Sequence, residues 1–297
     1  MSIENETAAA SPVRSGPPRW LRPFGARLAF LLVVFLGVEA LFAPLLTMAA
    51  KNPITSLIAG AATMVITLFG YAELVGRLEQ RRTPEVGLDT ARPQLIRGTL
   101  IGLGLFILTL GLIFMCNGYR LHGGSFGGMI ANLGMMLGIA TIEELLFRGV
   151  LFRLVEQRWG TLIALIVSGA LFGGLHLINK NATVWGALSI AASGGLLAGA
   201  AYAATRSLWL PIGIHLGWNF AESGIFGATD SGSDQTVGGL LTGVPHGPAF
   251  FNGGAFGPEA SIWAVLVGGA AAYVLIRRSR KQGNWRSSRP GRVVEGA

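Results

Sequence analysis

The chain has 297 residues, of which 51% are hydrophobic and only 13% charged, with a mean hydropathy of +0.55 and a formal net charge of +8. That balance excludes a disordered chain or an ordinary water-soluble domain and points to a polytopic membrane protein. The sole cysteine, Cys116, excludes an intrachain disulfide and any cysteine-based metal site.

Residues 1–26 form a polar segment rich in Pro and Arg. The apolar run that follows is too long for a signal-peptide core, so the first span is expected to be an uncleaved helix. A hydrocarbon core about 30 Å thick requires roughly 20 apolar residues per helical span. Runs of that kind recur at 27–50, 54–75, 98–116, 128–152, 161–179, 184–204, 207–226 and 260–276. The predicted fold is therefore all-α, a membrane helix bundle of about eight transmembrane helices over 27–276. The segment 227–259 has no Lys or Arg and much Gly, Ser and Asp; it reads as a flexible external segment with room for a lid. Residues 277–297 are a basic tail.

Charge sets the expected orientation. Nineteen of the 23 Lys and Arg fall in 1–27, 76–97, 152–160, 205–206 and the tail, whereas Lys51, Arg120 and Lys180 fall in the alternate loops. Basic residues accumulate in short cytoplasmic loops, which places both termini in the cytoplasm and suits the plasma membrane of a bacterium. The tail RRSRKQGNWRSSRPGR then reads as an anchor for anionic lipids, and no nucleic-acid-binding pattern accompanies it.

The fourth span contains TIEELLFRG, three charges in an apolar helix. Glu144 and Arg148 are four apart with the acid N-terminal to the base, the favourable order for a helical pair, and their expected role is a structural ion pair. Glu143 points about 100° away and meets Phe147 at its i+4 position. An intramembrane acid without a partner is a functional candidate. Later spans supply partners. SGALFGGLHL spaces Phe172 and His176 four apart, and LPIGIHLGWNF does the same for His215 and Asn219. At about 1.5 Å rise per residue, counting from Arg158, Thr161 and Arg206, all four polar groups fall roughly 14–22 Å into the bilayer. A carboxylate beside an imidazole can move the protons of a hydrolysis, and a His–Asn donor pair can hold an oxyanion. The competing use of the same atoms is a zinc site of Glu143, His176 and His215. The absence of HExxH, and the poor ligand that Asn makes, favour chemistry without a metal or other cofactor. Glu39, Glu73, Glu222, His122 and His246 lie near span ends, in loops or without matched neighbours, and are weaker candidates.

The motifs EELLFRG, FGGLHL and SLWLPIGIHLGWNF, with RRTPEVGL before the third span, resemble the EExxxR, FxxxH and HxxxN motifs of the CPBP family of intramembrane proteases. That family includes CAAX prenyl proteases and bacterial abortive-infection-type proteins. The resemblance covers roughly 77–226. It implies that Glu143 and His176 activate water, that His215 and Asn219 form the oxyanion site, and that the substrate is a membrane-associated protein or peptide. Members are commonly named metalloproteases, although the mechanism the family implies is glutamate-dependent. A non-catalytic immunity or scaffold protein is the alternative, which should tolerate Glu143→Gln.

Overall fold

The computed structural model describes residues 19–234 and 237–287. Most of the polar N-terminal segment and the last ten residues of the basic tail lie outside the described residues. The chain is a bundle of long helices: α1 (Phe24–Ala49), α2 (Pro53–Glu79), α3 (Ala91–Met115), α4 (Phe126–Glu144), α5 (Arg153–Trp159), α6 (Thr161–Leu175), α7 (Val184–Ile190), α8 (Leu196–Thr205), α9 (Trp209–Asn219) and α11 (Ile262–Lys281), with a single turn α10 (Ala249–Asn252). Widened π-helical turns at Leu145–Phe152 and Ala191–Gly195 fuse α4 to α5 and α7 to α8, and a third, Phe220–Ile225, extends α9. Each of the eight predicted spans is thus occupied by helix. Six stretches are long and apolar enough to cross a membrane. One of them, Phe126–Ile178, holds the fourth and fifth predicted spans, parted at Gly160, whose φ of 84° ends the first helix. The seventh is too short to qualify, because its helix runs only from Trp209 to Ile225.

Lipid explains the outward faces. Val33, Leu41, Ile58, Val65, Phe69 and Leu100 all point away from the bundle, a pattern that would be costly in water and is neutral in hydrocarbon. Inside, small residues let helices approach closely. A Cβ built on Gly60 of α2 would stand 1.8 Å from the Gly134 carbonyl of α4, and the Ser56 hydroxyl donates to Ala131 O across the same contact at 2.5 Å. Helices α3 and α9 interlock in the same way: a Cβ on Gly102 would meet Ile214 O at 2.1 Å, and one on Gly217 would meet Thr99 O at 2.2 Å. These contacts fix α4 and α9, the two helices that carry most of the polar groups.

The segment expected to be flexible is folded. Strand β1 (Tyr119–Gly123) pairs antiparallel with β2 (Leu241–Pro245), Leu121 opposite Gly243. The segment then winds through two tight turns, Gly254–Phe256 and Pro258–Ala260, and buries Ser231, Phe256 and Glu259. Its glycines are read by composition as freedom, but several serve as close contacts: a Cβ on Gly227 would lie 2.0 Å from Leu241 O.

Candidate active site

Helix α4 delivers Glu143 and Glu144 at its last turn, where the backbone widens into the π-helical turn that carries Arg148. Such widening recurs at functional sites because it displaces side chains from the regular helical repeat. Glu144 and Arg148 have no exposed side-chain surface, and Arg148 Nη1 donates to Glu144 Oε1 at 2.8 Å. Arg148 Nη2 donates to Gly195 O at 2.9 Å, in the second π-helical turn, and its guanidinium lies 4.7 Å from the Phe172 ring centroid. The arginine's two terminal nitrogens are thus met from separate elements, as a buried cation requires, while its Nε has no hydrogen-bond partner among the described residues.

Glu144 does more than neutralise Arg148. The same Oε1 lies 3.0 Å from His215 Nδ1, and since a carboxylate oxygen accepts, the Nδ1–H donates. This turns His215 Nε2 toward Glu143 Oε2, 3.6 Å away. His176 begins the short turn His176–Ile178 after α6, and its Nδ1 lies 2.7 Å from Phe172 O. A carbonyl only accepts, so His176 Nδ1 carries the proton and Nε2 keeps its lone pair. The FxxxH spacing therefore fixes a tautomer through the backbone carbonyl, and the Phe172 ring packs on both imidazoles, with centroids 5.0 and 5.8 Å away.

Glu143, His176 and Asn219 line one cavity of ≈ 260 Å³, together with Glu39 of α1 and Asp230. A smaller adjoining cavity is lined by Glu144, His176, His215, Asn219 and Glu259. The four candidates chosen from spacing and depth thus border shared space. Asn219 Nδ2 points at Asp230, 3.4 and 3.5 Å from its two carboxylate oxygens. Among the described residues, the one group of three His, Cys, Asp or Glu side chains with donor atoms within 4.8 Å of one another is Glu222, Asp230 and Glu259. Among the described residues, Glu143, His176 and His215, the donor set considered for zinc, do not form such a group.

Residues 124–221 match the family described as type II CAAX prenyl endopeptidase, Rce1-like. Over that segment, about a third of the chain, the sequence is similar to the CAAX-type protease family. Neither a curated protein nor a solved structure matches the chain significantly. The matched segment holds the EExxxR, FxxxH and HxxxN residues, from Glu143 to Asn219, but not RRTPEVGL. Glu39, Glu222, Asp230 and Glu259 lie outside it. In the sequence Glu39 and Glu222 are weak candidates, and nothing local marks Asp230 or Glu259. Glu39 lies within one apolar helix, and the other three meet only when the 227–259 segment folds back on the end of α9. The sole local signal was Glu222, three residues after Asn219. Burial and the neighbouring Asp230 carboxylate push the Glu259 carboxyl up to about 8. Of the other weak candidates, Glu73 pairs with Arg77 on an exposed face of α2, and His122 and His246 belong to the strand pair and its edge.

Proposed function

We propose that this CAAX-type chain is an intramembrane endopeptidase in which Glu143 and His176 activate water and His215 and Asn219 receive the oxyanion. The observation that carries the reading is the common cavity wall of Glu143, His176 and Asn219, with His215 Nε2 held 3.6 Å from Glu143 Oε2. Glu143, the more accessible of the two adjacent glutamates, takes a proton from water, while His176 Nε2 accepts the water's other hydrogen bond and orients it. Hydroxide attacks the peptide carbonyl carbon. The new C–O bond places negative charge on the carbonyl oxygen, which the Asn219 amide meets once it turns from Asp230. His215, whose Nδ1–H is held by Glu144, can add a second donor when its ring carries both protons. Collapse breaks the C–N bond, and the proton held by Glu143 passes to the departing amine.

The substrate is a membrane-associated protein or peptide, admitted through the larger cavity. Basic residues distribute as expected for cytoplasmic termini in a bacterial plasma membrane, with the tail held against anionic lipid. No metal or cofactor takes part in these steps.

The test compares purified wild type with Glu143→Gln on a membrane-protein substrate screen that reads new termini. Termini produced by wild type alone are the expected result. Identical profiles from the two would overturn the reading in favour of a scaffold.

A further inference from the structure

Behind Asn219, outside the segment that matches the protease family, stand three carboxylates that the proposed hydrolysis does not use. Glu222 lies on the π-helical turn after α9, Asp230 in the segment beyond it, and Glu259 in the turn Pro258–Ala260. One oxygen of each lies within 4.8 Å of the others. Glu222 is fully buried, and neither of its carboxylate oxygens accepts a well-formed hydrogen bond among the described residues, although the Trp218 side chain and the Glu259 backbone face it. The only side-chain hydroxyl bridging the other two, Ser231 Oγ, contacts Asp230 Oδ1 and Glu259 Oε2, but it has one proton for two acceptors. No Lys or Arg occurs in 227–259 to balance them. Gly257, whose φ is +113°, packs closely here: a Cβ built on it would lie 2.0 Å from Thr229 O and 3.4 Å from Glu222 Oε1.

We infer that Glu222, Asp230 and Glu259 form a binding site for a hard divalent cation, Ca²⁺ in preference to Mg²⁺. The donors are all oxygen, the set that selects these ions over zinc or copper. Ca²⁺ holds its ligands at about 2.3–2.6 Å, so oxygens up to about 4.8 Å apart can meet on one ion. Mg²⁺, at about 2.0–2.1 Å, demands a tighter octahedron. The ion supplies what Glu222 lacks, a positive partner for a buried carboxylate, and it offsets charges that could not otherwise all be ionised at this spacing. It also ties the end of α9 to the segment that covers it. Through Asp230 it holds the acceptor of the Asn219 amide, a consequence that rests on the proposed function; the site itself does not.

The full-length chain, purified in detergent and stripped with EGTA, is titrated with CaCl₂ by calorimetry, and its thermal unfolding is followed at increasing Ca²⁺. We expect one Ca²⁺ per chain, an unfolding temperature that climbs with concentration as binding to the folded state requires, and weaker binding of Mg²⁺. Glu222→Gln and Glu259→Gln should each weaken Ca²⁺ binding at least about 10-fold, a loss of roughly 1.4 kcal/mol. Wild type that takes up neither ion at millimolar concentration, with no shift in unfolding, overturns the site. So does Ca²⁺ binding that both glutamine variants retain unchanged. The wild-type titration decides even where a variant fails to fold, and because it reads binding alone, its outcome is separable from the presence or absence of proteolysis.

Discussion

The two ends of the bundle handle carboxylates in opposite ways. At the end where α2 and α5 meet, Glu79 accepts from Arg153 Nη1 and Nη2 at 2.7 and 2.9 Å and from Arg81 Nε at 2.7 Å. Glu85 accepts from Arg81 and, at 2.7 Å, from the Tyr71 hydroxyl. Glu156 is held by Arg206 and Thr161. Deeper in, around the cavity, only Glu144 has an arginine; Glu39, Glu143, Glu222, Asp230 and Glu259 have none among the described residues. Buried acids that are fully matched by guanidinium forks hold elements together, whereas acids left in excess must be met by water, a proton, an imidazole or an added cation. The first arrangement is architecture and the second is chemistry.

The sharpest way to break this contrast is Glu143→Gln. Glutamine keeps the side-chain volume but cannot take the proton of water, so turnover should fall by about 10²–10⁴-fold, the usual worth of a positioned base. Detergent stability should be unchanged or slightly higher, because a buried charge without an arginine has been removed. Rate assays beside thermal unfolding measure both. A variant that loses stability and retains turnover would mean that Glu143 belongs with the architectural acids.

Arg153→Ala is the mirror experiment at the other end. It leaves Glu79 buried without its forked partner and should cost about 3–5 kcal/mol of stability, with kcat per folded molecule unaltered. Glu144→Gln lies between the two classes, since Glu144 serves Arg148 and also orients His215. It should lower folded yield by a similar amount and slow the surviving enzyme as well. Denaturation in mild detergent, with activity normalised to folded protein, separates the two effects.

Asn219→Ala comes next in size. In the proposed mechanism its amide donates to charge that exists only in the transition state, so kcat should drop about 10²–10³-fold, roughly 2.7–4 kcal/mol, with KM nearly constant. Asn219→Asp should be worse, since it places an acceptor, facing Asp230, where the oxyanion must be received. A large rise in KM with kcat intact would instead make Asn219 a substrate-binding group.

Much of this was legible in the sequence because it is local. Apolar run length placed helix in every predicted span, and four-residue spacing anticipated both the Glu144–Arg148 contact and the shared face of His215 and Asn219. What spacing could not show is rotation and return. That His215 Nδ1 turns to Glu144 depends on how α9 is set against α4, and that setting comes from the glycine contacts with α3. Asp230 and Glu259 are 29 residues apart in a segment without hydrophobic periodicity, and only its fold brings them to Glu222. Glycine and serine were read there as freedom, but Ser231 is a buried bridge and Gly257 is a contact that no larger residue could make. The π-helical turns were equally hidden, since LLFRGVLF reads as ordinary helix.

The smallest expected effect is none at all, on removing zinc. A zinc ion on Glu143, His176 and His215 would require their donor atoms to converge, and among the described residues they do not form such a group. His215 Nδ1 is engaged by Glu144, and the proposed hydrolysis uses Glu143 as a base rather than as a ligand. Prolonged treatment with a zinc-selective chelator should therefore leave the hydrolysis rate unchanged, and elemental analysis should find well under one zinc per chain. The choice of chelator matters: EGTA would also strip the proposed Ca²⁺ site and could slow turnover through Asp230 and Asn219, whereas a zinc-selective reagent isolates the question. Stoichiometric zinc whose removal stops turnover and whose return restores it would recast His176 and His215 as ligands, and would move Glu143 from proton acceptor to metal ligand.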